Sequence, residues 1–306
     1  MSQGVVRQEG RVRAAYLEQS CSFQDSLQAI TFPEGQESKA KLLTAVLNSS
    51  LAAWYYFHTS ANLGADRAKV HEEQLLHLPF PDLEDTPDPE RARIAQRQLV
   101  GILDRLLERK DKPLTGEEMK SQILRADDLV FDYYGLTDEE KLLVTDSLTA
   151  IIPSMQPRKG TITTLMEQAS PEERTQYCRT LRAALREWLQ PGADLGIRLI
   201  EGGAEAILVE LRLGATWPDV LVERGEHELR AALDRILRLL PLNTSRNVEV
   251  QPNLKVFIKD SLYLAKPLSR RYWLASAGLN DADEIAGDLL AAQRRHLAKG
   301  KHERNR

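Results

Sequence analysis

Long apolar runs are missing from this sequence. No stretch approaches the roughly 20 residues needed to cross a bilayer, and the leading segment, residues 1–13, has no apolar core behind its charges that would serve as a secretory signal. The expectation is a cytoplasmic protein with no membrane partner. Cysteine is almost missing too. Cys21 and Cys178 are the only two, far apart and outside any CxxC or Cys/His spacing that holds zinc. They are expected to be reduced thiols. A large excess of one charge sign is also lacking: the formal net charge is -4, with 28% charged residues of mixed sign. That excludes a polycation coating nucleic acid along its whole surface, so any DNA contact has to be local.

Catalytic signatures are absent as well. There is no GxGxxG, no Walker loop, no HExxH and no GxSxG. No Asn-Pro dipeptide exists, so an Asn-Pro-Pro-Tyr type of motif that holds a flipped adenine is missing. A magnesium nuclease needs paired carboxylates and a lysine. Pro218-Asp219 supplies only the beginning of such a set, and Phe257 stands two before Lys259, where a ligand would be required, so a nuclease in the second half would have to show magnesium-dependent cleavage that depends on Asp219 or Glu210. The expectation is a protein with no self-sufficient catalytic site, whose function lies in binding.

What is present is mostly helix. At 306 residues the chain has room for two domains, placed at 1–152 and 153–306, with the boundary in the Pro/Gly/basic stretch 153–164. Residues 11–17 and 22–32 are rich in strand formers and predict two short strands. Apolar residues at helical spacing predict one core helix over 38–58, with Trp54 and Phe57 packing inward. Leu78-Pro79-Phe80-Pro81 stops a short helix near 72–76. An amphipathic helix follows over 90–110. Thr115…Glu118, Thr137…Glu140 and Ser170…Glu173 are capping boxes that open three more helices, and Gly135 is a left-handed stop for the first of them. Beyond residue 190 alternation sets in, with a hairpin around Gly202-Gly203, a helix over 226–240, up to four short strands over 247–277, and a last helix capped by Asn280. The predicted fold class is α+β and helix-rich: short N-terminal strands plus long helices, then a small, mostly antiparallel sheet flanked by helices.

Three passages of the first half carry a resemblance. They are Leu47-Asn48-Ser49-Ser50-Leu51 within the first helix, Leu78-Pro79-Phe80-Pro81 after it, and the run from Asp127-Asp128-Leu129-Val130 through Tyr133-Tyr134-Gly135-Leu136-Thr137-Asp138-Glu139-Glu140. Together they resemble the C-terminal target-recognition region of adenine-N6 DNA methyltransferases, of the large single-chain restriction-modification type (type II, subtype G) and related phage-defence methylases. The resemblance covers about residues 10–152, and 261–290 looks like the extreme C-terminal segment of some such proteins. It implies double-stranded DNA as a partner. It also implies a methyltransferase catalytic domain or subunit, bearing the S-adenosylmethionine site and the Asn-Pro-Pro-Tyr motif upstream of the recognition region. This chain would then be a recognition and assembly subunit, or a C-terminal fragment, of such an enzyme.

On that resemblance the DNA-binding candidates are Arg7, Arg11 and Arg13 at the first strand, Arg67 and Lys69 after the first helix, and Lys266, Arg270 and Arg271 beside Tyr272 and Trp273. An ordinary solvated charged face accounts for the same residues, and so does the rim of an edge strand in the last group. A different class of function also fits: a protein-interaction scaffold built on the helices 90–110 and 115–134, without DNA contact.

Overall fold

Local capping chemistry decides where most of the helices begin. In the computed structural model, which describes residues 11–19, 21–23, 27–60, 70–109, 114–155, 162–202, 206–217, 219–239 and 254–304, the Thr115 hydroxyl accepts from the Glu118 amide while the Glu118 carboxylate accepts from the Thr115 amide. Thr137 with Glu140 and Ser170 with Glu173 repeat the arrangement. Each box satisfies amide hydrogens that the first helical turn leaves without partners. The chain divides into two compact units, Met1–Thr164 and Leu165–Arg306.

The first unit is helical. Its elements are α1 (Glu37–Leu47), α2 (Ser50–Thr59), α3 (Glu72–Leu76), α4 (Pro89–Glu108), α5 (Gly116–Tyr134) and α6 (Asp138–Asp146). After α6 the helix widens into a π turn, Ser147–Ile151, and closes with α7 (Ile152–Met155). Pro153 explains the widening: it lacks the amide hydrogen that would bond four residues back, and its ring crowds the carbonyl there. Leu42 and Val46 of α1, Leu99 and Ile102 of α4, and Val130 and Tyr133 of α5 form one buried cluster. Each such side chain contributes about 2 kcal/mol by leaving water. A second cluster joins Val12, Leu47, Tyr56, Val70 and Leu75. Gly135 ends α5 with φ 67°, the left-handed conformation that glycine adopts without steric cost.

The second unit contains α8 (Pro171–Arg186), β1 (Leu195–Glu201), β2 (Ala206–Leu213), β3 (Leu221–Arg224), α9 (Glu226–Leu239), β4 (Leu254–Ile258), β5 (Ser261–Pro267) and α10 (Ala275–Arg304). The strand order is β3-β1-β2-β5-β4. All neighbours are antiparallel except β1 and β3, so the sheet is mixed. Ile197, Leu199, Val209, Leu211 and Leu264 on one face pack with Tyr177, Leu181 and Leu185 of α8 and Ala282 and Ile285 of α10. The other face meets Ala232 and Ile236 of α9 through Ile200, Leu208, Val256 and Tyr263.

Four expectations are corrected. The N-terminal strands do not form: among the described residues, 11–17 belong to no strand and the second segment carries only an isolated bridge at Leu27, so the sheet lies wholly at residues 195–267. Val12 is buried and Arg13 exposed, the alternation of a strand, but the neighbour of this extended segment is the Asn48 side chain. The predicted helix over 38–58 is two helices. Ser49 takes an extended conformation and its hydroxyl caps α2 by accepting from the Ala52 amide, which breaks the helix after Leu47. Tyr56, rather than Trp54 or Phe57, is the fully buried aromatic of α2. Finally, Asn280 caps nothing: α10 starts at Ala275, and Gly278 lets it lie against α8, where a Cβ would stand 3.0 Å from the Tyr177 carbonyl oxygen. Residues 247–277 hold two strands among the described residues, β4 and β5.

Candidate nucleic-acid interface

Extended backbone must find partners for its amides and carbonyls outside itself, and in the first unit the turn between α1 and α2 supplies them. The Asn48 side chain accepts from the Ala14 amide at 3.1 Å and donates to the Ala14 carbonyl at 2.8 Å, and also to the Thr44 carbonyl at 2.8 Å. It stands where a neighbouring strand would be. Three residues before Ala14, Arg11 forms a fork on Asp127 of α5, at 3.0 and 2.6 Å, and donates to the Asn48 carbonyl at 2.9 Å. Asp127 also accepts from the Ser50 amide at the start of α2, at 2.8 Å. Two aligned N–H groups facing a carboxylate make this a strong and directional pair. Asp127 is buried, and the Arg11 side chain is only 16% exposed.

The Leu-Pro-Phe-Pro segment is tied to the same helix. Tyr133 donates to the Pro81 carbonyl and Tyr134 to the Pro79 carbonyl, both at 2.6 Å. Burial pushes both phenols above their ordinary pKa, so they stay protonated donors. Passages that stand apart in sequence, Asn48-Ser49-Ser50, Pro79 to Pro81, and Asp127 to Tyr134, are thus one hydrogen-bonded frame around α5.

No family model, curated protein or solved structure matches the chain.

The basic residues singled out by sequence fall in different places. Arg13 is exposed between two pinned neighbours. Arg11 is spent on Asp127. Arg7, Arg67 and Lys69 lie outside the described residues. The residues on either side of 61–69 are held, however: the Ser60 hydroxyl and the His71 amide both donate to the Gln74 side-chain oxygen, at 2.8 and 3.1 Å, and Val70 is buried.

In the second unit Lys266 is 1% exposed. Its ammonium is paired with Asp281, donates to the Tyr177 hydroxyl at 3.0 Å, and sits 4.2 Å from the centre of the Tyr177 ring. Tyr177 in turn donates to Asp281 at 2.5 Å. Burial lowers the Lys266 pKa, opposed by Asp281, and burial raises that of Tyr177. An ammonium enclosed in this way does not reach a phosphate, which removes Lys266 from the DNA-facing set. Arg270 is bonded to Glu173 at 2.5 Å. Arg271 is exposed and lies over its neighbour Tyr272, 4.6 Å from the ring centre.

The carboxylates that a nuclease would need are engaged by arginines. Asp219 is forked by Arg179 at 3.1 and 2.5 Å, and Glu210, fully buried, is bonded by Arg198 and Arg212. Among the described residues no group of His, Cys, Asp and Glu is placed to hold a metal ion. No helix of the described residues is long and apolar enough to cross a membrane. The Arg198–Glu210–Arg212–Tyr263 cluster is not among the residues that the sequence alone brings together. Its trace was the charged Arg198, Glu210 and Arg212 at alternate positions of strands otherwise apolar, a pattern that marks one sheet face as polar over half its length.

Proposed function

We propose that the chain is the DNA-target recognition and assembly part of an adenine-N6 DNA methyltransferase of a restriction-modification or related defence system, acting with a catalytic domain that binds S-adenosylmethionine. The observation that carries this reading is the frame around α5. The three passages responsible for the family resemblance bond to one another across long sequence separations, which gives a physical reason for their occurring together. They hold the segment 11–14, on which Arg13 is exposed, while Gln74 holds the two flanks of residues 61–69, which include Arg67 and Lys69. A support of this kind sets the register of arginines on a duplex, where phosphate contacts position and base-edge contacts specify.

The expected behaviour is weak DNA binding by the chain alone, falling with salt according to the few phosphates engaged, and stronger binding when the methyltransferase catalytic domain is supplied. Fluorescence anisotropy of a labelled duplex measures this for the wild type and for Arg7→Ala, Arg13→Ala, Arg67→Ala and Lys69→Ala. Absent or salt-insensitive binding with the catalytic domain present would overturn the proposal.

One observation favours a second reading, a helical docking surface that does not touch DNA. Leu106 of α4 and Met119, Ile123 and Leu124 of α5 are exposed, apolar side chains that a docked partner would cover. On that reading, polar substitutions at these four positions abolish assembly with the catalytic domain while Arg13→Ala is silent.

A further inference from the structure

The second unit carries a preorganised arginine cluster on its sheet. Paired residues of adjacent strands share a face, so Arg198 of β1, Glu210 and Arg212 of β2, and Tyr263 of β5 stand together on the side that α9 partly covers. Gly196 shares this face, and the Trp217 ring lies directly on it: a Cβ there would stand 2.6 Å from the ring. The guanidiniums of Arg198 and Arg212 are 5.9 and 5.7 Å from the centre of that ring.

Glu210 is 0% exposed and both its oxygens are engaged. Arg198 donates to one at 2.7 Å, while Arg212, at 2.6 Å, and the Tyr263 hydroxyl, at 3.0 Å, share the other. Arg235 of α9 donates to the same hydroxyl at 3.3 Å. Arg198 has its other arm on Glu223, at 2.9 and 3.0 Å, and is saturated. Arg212 and Arg235 are not. The Arg212 side chain is 34% exposed and Arg235 is exposed, and among the described residues Glu210, Tyr263 and the Trp217 ring hold Arg212 while Tyr263 holds Arg235. Three guanidiniums, those of Arg198, Arg212 and Arg235, thus face two carboxylates, Glu210 and Glu223, which leaves the cluster one positive charge in excess. Arg212 and Arg235, drawn to the same buried Tyr263 hydroxyl and with N–H groups still open to solvent, bring two guanidinium forks to one place, a donor set suited to phosphate oxygens.

We propose that this face binds a phosphate group between Arg212 and Arg235, with Tyr263 and Glu210 as positioning residues. Its identity as a duplex backbone phosphate rests on the DNA-recognition reading given above, and it would give the second unit a backbone contact of its own.

The test uses the full chain and two probes. Inorganic phosphate should shift the Nε–H resonances of Arg212 and Arg235, and saturable phosphate binding in calorimetry should vanish in Arg212→Ala/Arg235→Ala. Tyr263→Phe, which keeps the ring in place, should move the Arg235 resonance and weaken phosphate about tenfold, the effect of one hydrogen bond to a charged group. On a labelled duplex, the double variant should lower the slope of log affinity against log salt by about 1, for the one backbone phosphate the pair holds. Arg212→Lys/Arg235→Lys, which keeps the charge, serves as the folded control and should bind phosphate more weakly than wild type. Unmoved arginine resonances in phosphate would overturn the site. Phosphate binding with an unchanged DNA slope in the double variant would overturn its assignment to a duplex backbone. Phosphate binding by a wild type that does not bind DNA at all would overturn that assignment together with the DNA-recognition reading, leaving the phosphate site standing.

Discussion

Asn48 does the work of a missing strand, and its replacement is correspondingly costly. Asn48→Ala leaves the Ala14 amide and carbonyl without their partner, while the Thr44 carbonyl keeps the residue 48 amide, and should lower stability by about 2–3 kcal/mol in urea unfolding. Asp127→Ala removes the acceptor of both Arg11 and the Ser50 amide and should cost about 3 kcal/mol, because a partly buried guanidinium is then left unpaired. The Lys266–Asp281 pair gives a sharper test. Lys266→Met alone strands a buried carboxylate and should cost about 3–5 kcal/mol, whereas Lys266→Met with Asp281→Asn should recover much of that loss in a double-mutant cycle. Sequence made Arg11 and Lys266 look alike, as cations next to strand formers. Both turn inward onto carboxylates, Asp127 and Asp281, 116 and 15 residues away, and no local pattern contains that information.

Elements were legible where the chemistry that starts or stops them is local. The capping boxes at Thr115, Thr137 and Ser170 lie within four residues of themselves, and so does the glycine stop of α5. Gly135→Ala should cost about 1–2 kcal/mol, since its left-handed φ strains any Cβ and Pro87 stands 3.1 Å from where that Cβ would be. The break at Asn48-Ser49 was hidden because apolar periodicity runs straight through it: Leu47 and Leu51 keep helical spacing although Ser49 has left the helix. The false N-terminal strands have the converse cause, since an alternating pattern records which side is buried and not what does the burying. The connection between β2 and β3 carries a pH prediction. Arg179 beside Asp219, helped by the Val220 amide, lowers the Asp219 carboxyl to about 2. A depressed carboxyl contributes stability that is present above its ordinary range, near ~4, and is lost as pH falls toward ~2. Both side chains are half exposed, so the contribution is small. Asp219→Asn should flatten that acid limb and leave stability at neutral pH nearly unchanged, as followed by circular dichroism.

For the whole molecule, sequence supplied the α+β, helix-rich class and the sheet in the second half, because alternation changes character after residue 190. It did not supply the mixed topology, since parallel pairing of β1 with the short, mostly exposed β3 leaves no mark in either strand alone. The candidate interface was partly legible in the same sense. The motif passages were visible, while their convergence on α5 and the arginine cluster of the sheet exist only once the chain is folded. Each unit offers basic groups held in place by buried acceptors, Arg13 beside the Arg11–Asp127 fork in the first and Arg212 and Arg235 on Glu210 and Tyr263 in the second. The most direct measurement of the central claim is the affinity of the full chain for a labelled duplex across a salt series, with the methyltransferase catalytic domain present. DNA recognition predicts a linear fall of log affinity with log salt, with a slope that shrinks by about 1 in Arg13→Ala. No binding, or a slope near zero, would contradict it.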